Sequence, residues 1–269
     1  MTENREKGIV VMQDNTPQLW DRFWSNPVSI EEDRFNMARE ENCIRWQRLE
    51  QIVLRRFGRF NGLRVIEIGA GAGTNAALMA ARRAQVTILD YSEAALERAR
   101  EFFRRIDLRA EMICQDALSL PADLRGRYDI AMSFGFTEHF RGEERIRINK
   151  AHFDLLRPGG MAFISVPNKY NPPYRIFKFA AELAGVWKVG EEYPYSRREL
   201  SRICGQIGIT DYGFFGDSFF WSLRFISPVR AVAKILNIKP SLSVSRLKKE
   251  KGTPIDPYLA YALVLYGTK

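Results

Sequence analysis

The sequence has few cysteines and lacks long apolar runs. Its 269 residues include only Cys43, Cys114 and Cys204, which stand far apart, so neither a disulfide framework nor a close-spaced zinc site is expected. It contains no stretch of about 18 uncharged apolar residues, so no membrane-spanning helix is predicted. The polar first residues are followed by no apolar signal-peptide core. These absences favour a protein of the reducing cytoplasm that has no metal site.

Internal repeats and low-complexity tracts are also lacking. A hydrophobic content of 46% and a charged content of 27% are ordinary for a globular protein, and the length suits one large α/β domain with additions. The net charge of +9 is concentrated locally, because residues 213–253 contain eight basic residues against Asp217 and Glu250. This segment could attract an anionic surface or substrate; a solubilising face is the alternative.

An apolar run that ends in alternating glycines is the most informative stretch. Residues 65–68 lead into Gly69, Gly71 and Gly73, and an alanine-rich run follows from 76 to 84. This order predicts a strand, a tight turn and a helix N-terminus, whose free N–H groups suit polar or anionic ligand atoms. Such a turn after the first strand of an open α/β sheet is typical of a nucleotide-type site. A turn that only packs the helix is the alternative.

Acidic residues end the next two predicted strands. The strand over 85–89 ends in Asp90, about 20 residues beyond the glycines, where a carboxylate can hold ribose hydroxyls. The strand over 110–114 ends in Asp116, and a fourth over 128–133 leads to Glu138 and His139. A helix, an Arg-Pro-Gly-Gly turn and a fifth strand follow. This alternation predicts a parallel sheet with helices on both faces.

Taken together, these motifs resemble those of class I S-adenosylmethionine-dependent methyltransferases. The closest likeness is to the broad family that includes ubiquinone and menaquinone biosynthesis methyltransferases and many natural-product and lipid methyltransferases. The matching residues are 67–73, Asp90, Asp116, 138–139 and 156–160, in the right order over roughly residues 60–167. The turn reads G-x-G-x-G rather than the G-x-G-x-x-G of nicotinamide enzymes.

The resemblance implies a fold, a cofactor and a reaction. The expected fold is an α/β, doubly wound, seven-stranded and mostly parallel Rossmann-like sheet with helical additions. The expected cofactor is S-adenosyl-L-methionine, which leaves as S-adenosyl-L-homocysteine. The expected acceptor is a small or lipid-like molecule, and the expected location is the cytoplasm, with peripheral membrane contact as an option.

The resemblance also implies which residues hold the cofactor. Glu67 is expected to meet its amino group, directly or through water, and Asp90 to accept hydrogen bonds from both ribose hydroxyls. Asp116 is expected to accept from the adenine amino group, although a helix cap is the alternative for this carboxylate. The other expected contacts are Gly69, Ala70, Gly71 and Gly73 of the turn, Tyr91, Ala117 and Leu118 near the adenine, and Ser133 at the end of the fourth strand.

The pair Glu138 and His139 follows the fourth strand, where the acceptor should lie. Methyl transfer from a sulfonium is an in-line displacement that holds the acceptor close and sometimes removes its proton. His139 is therefore a candidate general base, with Glu138 as an orienting or structural residue. A structural histidine that satisfies a backbone group is the equally open alternative. His152 is expected to be a surface or core residue.

The flanking segments are predicted to cover the site. Residues 1–60 are expected to form a helical cap, with one amphipathic helix over 33–57 that ends at Gly58, although packing on the sheet edge is the alternative. Residues 61–269 form the methyltransferase domain, with aromatic-rich lid insertions at about 168–205 and 217–256. The stretches 174–188 and 219–238 also suit helices that lie on an anionic membrane.

Two other functions are disfavoured by the sequence. Asn171-Pro-Pro-Tyr174 matches the catalytic tetrapeptide of amino-directed DNA methyltransferases, where it ends the fourth strand. Here it follows the fifth strand, so a nucleic-acid acceptor is disfavoured. A non-catalytic binding module is disfavoured by the presence of Glu67, Asp90 and Asp116.

Overall fold

A computed structural model describes residues 15–187, 189–228 and 242–269. Within them, seven strands form one sheet in the order β3-β2-β1-β4-β5-β7-β6. The strands are β1 Arg64–Ile68, β2 Gln85–Asp90, β3 Glu111–Cys114, β4 Tyr128–Phe134, β5 Leu156–Pro167, β6 Tyr212–Gly216 and β7 Ala262–Thr268. The described α-helices are α1 Pro17–Trp24, α2 Ile30–Asn42, α3 Ile44–Phe57, α4 Thr74–Ala81, α5 Glu93–Arg105, α6 Gly142–Leu155, α7 Pro172–Leu183, α8 Arg197–Gln206, α9 Phe219–Ser222 and α10 Asp256–Leu259.

Strand order positions the site. The chain runs outward from β1 through β2 to β3 and then returns to place β4 on the other side of β1. Strands β1 to β5 are parallel, whereas β7 pairs antiparallel with both β5 and β6. The reversal between β1 and β4 opens a crevice at the carboxyl ends of these strands, where ligands of such sheets bind. The predicted fold class is confirmed.

The sheet is buried on both faces. On one face, α3, α4 and α5 contribute Leu49, Leu78 and Phe102 to a continuous core. On the other face, α6 and α8 contribute Ile148 and Leu200. The central strands are therefore buried along almost their whole length rather than at alternate residues, as is usual for parallel strands between two helical layers.

The predicted helix over residues 33–57 is wrong in one respect, because it is two helices. Cys43 has extended backbone angles (φ −75°, ψ 155°) and ends α2 while starting α3, where its Sγ accepts a hydrogen bond from the backbone N–H of Trp46. The continuous apolar pattern hid this break. The predicted end at Gly58 is confirmed, since Gly58 adopts the left-handed conformation of a helix C-cap.

The last strand begins later than the apolar run over residues 258–266 indicates. Residues 256–259 form the helical turn α10, and β7 starts at Ala262. The buried Asp256 carboxylate explains the difference, because it accepts hydrogen bonds from the backbone N–H groups of Thr253 and Phe219. These contacts hold residues 253–259 against the start of α9. No helix in the described residues is long and apolar enough to cross a membrane.

Candidate active site

A cavity of about 340 Å³ lies at the carboxyl ends of β1 to β4 and beneath α1. Its volume is in the range of small-ligand sites. It is lined by Asn15, Trp20, Trp24, Gly69, Ala70, Gly71, Leu89, Asp90, Tyr91, Gln115, Asp116, Ala117, Leu118, Phe134, Gly135, Phe136, His139, Phe140 and Glu144. Most of the residues predicted to contact the cofactor are therefore brought together on one wall.

The glycine turn forms the floor of this cavity. Gly69 and Gly71 have φ values of +60° and +53°, which favour glycine. A Cβ on Gly69 would overlap the ring of Phe136, and one on Gly71 would overlap the ring of Trp24. The turn therefore requires glycine for both its conformation and its close neighbours. Gly73 is a correction to the prediction, because it faces Ile88 in the core and does not line the cavity.

Asp90 joins the turn to the end of β2. Its Oδ2 accepts from the backbone N–H of Gly71 at 3.1 Å, and its Oδ1 accepts from that of Ser92 at 3.0 Å. Burial raises the pKa of Asp90, while these hydrogen bonds lower it. The carboxylate is thus fixed in the cavity wall, and each oxygen retains a lone pair for a ligand hydroxyl.

Glu67 lies beneath the turn rather than in the cavity wall. Its Oε2 accepts from the backbone N–H of Ala76 at 2.6 Å, which satisfies a free donor in the first turn of α4. Burial raises its pKa to about 8. The expected direct contact with the cofactor amino group is not available from this position, since Glu67 is 2% exposed and absent from the lining.

Asp116, Ala117, Tyr91 and Leu118 lie together on the side expected for the adenine. Asp116 also fulfils its alternative role, because its Oδ1 accepts from the backbone N–H of Leu118 at 2.8 Å and caps a short 3-10 turn. Asp116 is also one of the residues that line the cavity. Capping and ligand binding are therefore compatible at this carboxylate.

Ser133 is a second correction. Its hydroxyl lies 2.8 Å from Nε2 of His152, and Nδ1 of His152 lies 2.9 Å from the carbonyl oxygen of Ile148. Both side chains are fully buried between β4 and α6. Ser133 therefore faces the helix layer rather than the cavity. His152 is a core residue, as expected, and burial lowers its pKa to about 4.

Helix α1 covers the cavity. Trp20 packs edge-on against His139 with ring centroids 5.0 Å apart, and Trp24 lies over Gly71. Asp21 fixes the helix from outside, because its Oδ1 accepts from the hydroxyl of Ser92 at 2.6 Å. The aromatic pair in the N-terminal segment thus forms the roof of the site.

His139 is half-buried at the far end of the cavity. Its Nδ1 lies 2.8 Å from the carbonyl oxygen of Glu191. A carbonyl only accepts, so Nδ1 carries the hydrogen and Nε2 retains its lone pair. Burial lowers the pKa of His139 to about 4, and the imidazole is neutral near pH 7. Glu138 is 2% exposed, and its Oε2 has no hydrogen-bond partner among the described residues.

Three site residues were missed by the sequence analysis. Asn15 donates from Nδ2 to the carbonyl oxygens of His139 and Glu191, both at 3.1 Å. The guanidinium of Arg45 lies 5.1 Å from the ring centre of Phe134. Glu192 lies beside Glu138 and His139, and one ligand-type atom from each of the three lies within 4.8 Å of the others. Two consecutive acidic residues at 191–192, in an aromatic-rich stretch, were the feature of the sequence that could have indicated Glu192.

The Asn-Pro-Pro-Tyr sequence has a structural role. Asn171 is fully buried and caps α7 by accepting from the backbone N–H of Tyr174 at 2.8 Å, while its Nδ2 donates to Ser222 and to the carbonyl of Leu259. Tyr174 is 1% exposed and donates to Glu192. The polar groups that a DNA-type mechanism would use are therefore engaged within the fold.

Comparisons with known proteins agree with this geometry. Residues 65–160 match a family model described as a methyltransferase domain. A ubiquinone biosynthesis O-methyltransferase from Leptothrix cholodnii is 28% identical over 191 residues, covering 69% of this chain and 77% of that protein. A protein of the same name from Aromatoleum aromaticum is 30% identical over 162 residues, covering 59% of this chain and 68% of that protein.

Solved structures show the same fold. A magnesium protoporphyrin IX methyltransferase from Synechocystis PCC 6803, solved with bound SAH, superposes with a TM-score of 0.54 at 16% identity, covering 94% of this chain and 93% of that one. This likeness shows the fold, and the matched domain and the relatives identify the family. The chain is a class I S-adenosylmethionine-dependent methyltransferase.

The residues of this methyltransferase fit its cofactor. Gly69 and Gly71 lie in the cavity lining at the end of β1, and the Asp90 carboxylate stands beside them at the end of β2. Tyr91 and Leu118 offer flat or apolar surfaces for a purine, and Asp116 offers an acceptor for its amino group. When bound, S-adenosylmethionine would supply an electrophilic methyl group.

Proposed function

We propose that this methyltransferase transfers the methyl group to a hydroxyl oxygen of a small, largely apolar or lipid-like acceptor. The observation that carries the proposal is the neutral His139 at the cavity wall, with Nδ1 held by a carbonyl and Nε2 free to accept a proton. The curated relatives named above are O-methyltransferases, which supports oxygen as the methylated atom.

In this mechanism, Nε2 of His139 accepts a hydrogen bond from the acceptor hydroxyl and takes its proton as the oxygen attacks. Bound S-adenosylmethionine would supply the methyl group as an electrophile, so that its bond to sulfur is exchanged in line for a bond to the acceptor oxygen and the electron pair stays on sulfur. Trp20 packs against the imidazole and holds the ring in place. Glu138 orients the acceptor from the interior side of the same loop.

The flanking segments complete the site in this proposal. Residues 1–60 act as a cap, since Trp20 and Trp24 of α1 form the roof over the glycine turn; residues 1–14 lie outside the described part. The insertion at about 168–205 contributes Tyr174 and Glu192 to the acceptor end. The second insertion, at about 217–256, packs Phe225 on Phe177 with ring centroids 5.3 Å apart. Water is thereby kept from the reacting atoms.

The lipid-like character of the acceptor is supported by the outer surface of α7. Ile176, Phe179 and Leu183 are 58%, 68% and 78% exposed and follow one face of the helix, while Lys178 is buried. Lys169 and Arg175 are exposed beside them. An apolar face flanked by cations suits the headgroup region of an anionic membrane. Arg230 and Lys234, which also prompted this interpretation, lie outside the described residues.

The proposal is tested by incubating the protein with methyl-labelled S-adenosylmethionine and acceptors that differ in one group. Matched phenols, anilines and thiols, each with a short or long alkyl chain, separate oxygen from nitrogen and sulfur acceptors. We expect label in the phenols and higher kcat/KM with the longer chain. Label in DNA or RNA instead, or cofactor binding without transfer to any acceptor, would replace the proposal by a nucleic-acid enzyme or a binding module.

A further inference from the structure

The hydrogen-bond partner of Nδ1 in His139 is an uncharged group. Its Nδ1 donates to a backbone carbonyl, and both burial and the ammonium group of Lys178 lower its pKa. If Nε2 takes a proton from the acceptor, a buried imidazolium is formed. Burying such a charge is costly unless an anion lies near it. A carboxylate beside His139 would offset this cost.

Residues 191–193 place a carboxylate, that of Glu192, beside His139. The backbone N–H of Tyr193 donates to the carbonyl oxygen of Glu138 at 2.8 Å, and the carbonyl of Glu191 accepts from His139 at 2.8 Å. The segment thus runs alongside residues 138–139 and is fixed at both ends. Between these two contacts, the Glu192 side chain meets Glu138 and His139, with one ligand-type atom from each residue within 4.8 Å of the others.

Glu138 and Glu192 form a buried carboxyl pair in which two negative charges would repel each other, so a single charge on the pair is favoured. Burial raises the pKa of Glu192, whereas the hydrogen bond that Tyr174 donates to its Oε2 at 2.7 Å and the nearby ammonium group of Lys178 lower it. Oε2 of Glu138 has no hydrogen-bond partner among the described residues, so the charge is favoured on Glu192. Burial and the neighbouring Glu192 raise the pKa of Glu138 well above its usual range. The titratable and charged groups that face the pair are Tyr174, Lys178 and Glu182 of α7, Tyr261 before β7, Arg145 of α6 and Arg45 of α3.

We propose that Glu192 is a positioning residue for His139: its carboxylate lies beside the imidazole and stabilises the imidazolium that forms when His139 takes the acceptor's proton. This inference rests on the assignment of His139 as the base in the proposed function. The proton moves from the acceptor oxygen to Nε2, and Glu192 neither gains nor loses one. Glu192, which stabilises the protonated form of the base, thus lies in the predicted insertion rather than in the motifs shared with the family.

A titration of His139 by NMR tests this without any acceptor. The chain contains two histidines, so His152 serves as the internal reference. Glu192→Gln should lower the pKa of His139 by about one unit or more, because an opposite charge has been removed. Glu143→Gln, at the exposed start of α6, is the matched control and should leave it unchanged. Equal His139 pKa values in the wild type and in Glu192→Gln would overturn the inference.

Kinetics supply the second arm. Glu192→Gln should lower kcat about tenfold and shift the acid limb of the pH–rate profile, with cofactor affinity unchanged, and Glu192→Asp should restore part of the rate. In a His139→Ala background, Glu192→Gln should cost nothing more. Equal losses in both backgrounds would contradict the inference. So would a rate that is abolished by chelators and restored by Mg²⁺, because the cluster would then hold a cation.

The two arms separate this inference from the proposed function. A wild-type protein that methylates no hydroxyl acceptor contradicts the proposed function. The NMR comparison still decides whether the charge on Glu192 stabilises the imidazolium.

Discussion

Helices α5 and α7 distribute their polarity in opposite ways. Helix α5 buries Leu96 and Phe102 against the sheet and exposes charged residues, as a helix on a globular core does. Helix α7 exposes Ile176 and Phe179 and buries Lys178. The first helix lies within residues 65–160, which match the methyltransferase family model, and the second lies outside them. The outer face of α5 is therefore suited to water, whereas the outer face of α7 is suited to apolar surroundings.

The largest expected effect lies at the catalytic end of the matched part. His139→Ala should reduce kcat by about 10²–10⁴-fold while cofactor affinity changes little, because a general base acts on the reacting proton. The wild-type rate should fall as the pH approaches about 4, where His139 becomes protonated. Steady-state kinetics over pH, with cofactor affinity measured in parallel, provide the check. A variant with full turnover at every pH would give His139 a structural role.

A pair of leucine substitutions sharpens the comparison directly. Leu96→Ala on α5 removes a side chain that is 1% exposed, so the free energy of unfolding should fall by about 2–5 kcal/mol. Leu183→Ala on α7 changes a side chain that is 78% exposed, so the change should stay within about 0.5 kcal/mol. Urea unfolding of both variants measures the difference. Equal losses would show that the outer face of α7 is covered in the folded protein.

Asp90 offers the next effect in size. Asp90→Ala should weaken S-adenosylmethionine binding by about 1.5–3 kcal/mol, because a charged acceptor for the ribose hydroxyls is lost. This corresponds to roughly a 10- to 150-fold rise in Kd. Asp123→Ala removes an exposed carboxylate outside the cavity lining and serves as the control. An unchanged Kd in folded Asp90→Ala would remove Asp90 from the cofactor site.

The smallest expected effect concerns the outer face of α7. Phe179→Glu should reduce binding to anionic vesicles about tenfold at low salt and leave cofactor affinity unchanged, because a carboxylate replaces an apolar contact beside anionic lipid. Leu54→Glu, at an exposed position on α3, is the matched control and should bind as the wild type does. Co-sedimentation measures both. A wild type that does not sediment with vesicles at low salt would leave a soluble acceptor as the surviving option.

The matched part could be predicted from the sequence because its signals are local. Glycines mark the turn, strand ends mark Asp90 and Asp116, and Ser92 caps α5 as its position indicated. The contacts of Gly73 and Ser133 could not be predicted, because which side of the sheet a residue faces depends on helix packing. The sequence therefore predicts which residues lie at the strand ends, but it does not predict which side of the sheet their side chains face.

The inserted part was predicted less well because its contacts are long-range. Glu192 reaches His139 through backbone pairing between segments more than 50 residues apart. Cys43 separates two helices within an uninterrupted apolar pattern. Its sulfur accepts the backbone hydrogen bond that a side-chain oxygen usually accepts at a helix N-terminus. No periodicity in the sequence reports either interaction.

A calorimetric titration of S-adenosylmethionine into the wild-type protein tests the central claim most directly. The account predicts saturable binding of one cofactor molecule per chain in the cavity beneath α1, accompanied by a change in tryptophan fluorescence, because Trp20 and Trp24 line that cavity. A folded protein that takes up no S-adenosylmethionine would contradict the assignment of the site and of the reaction.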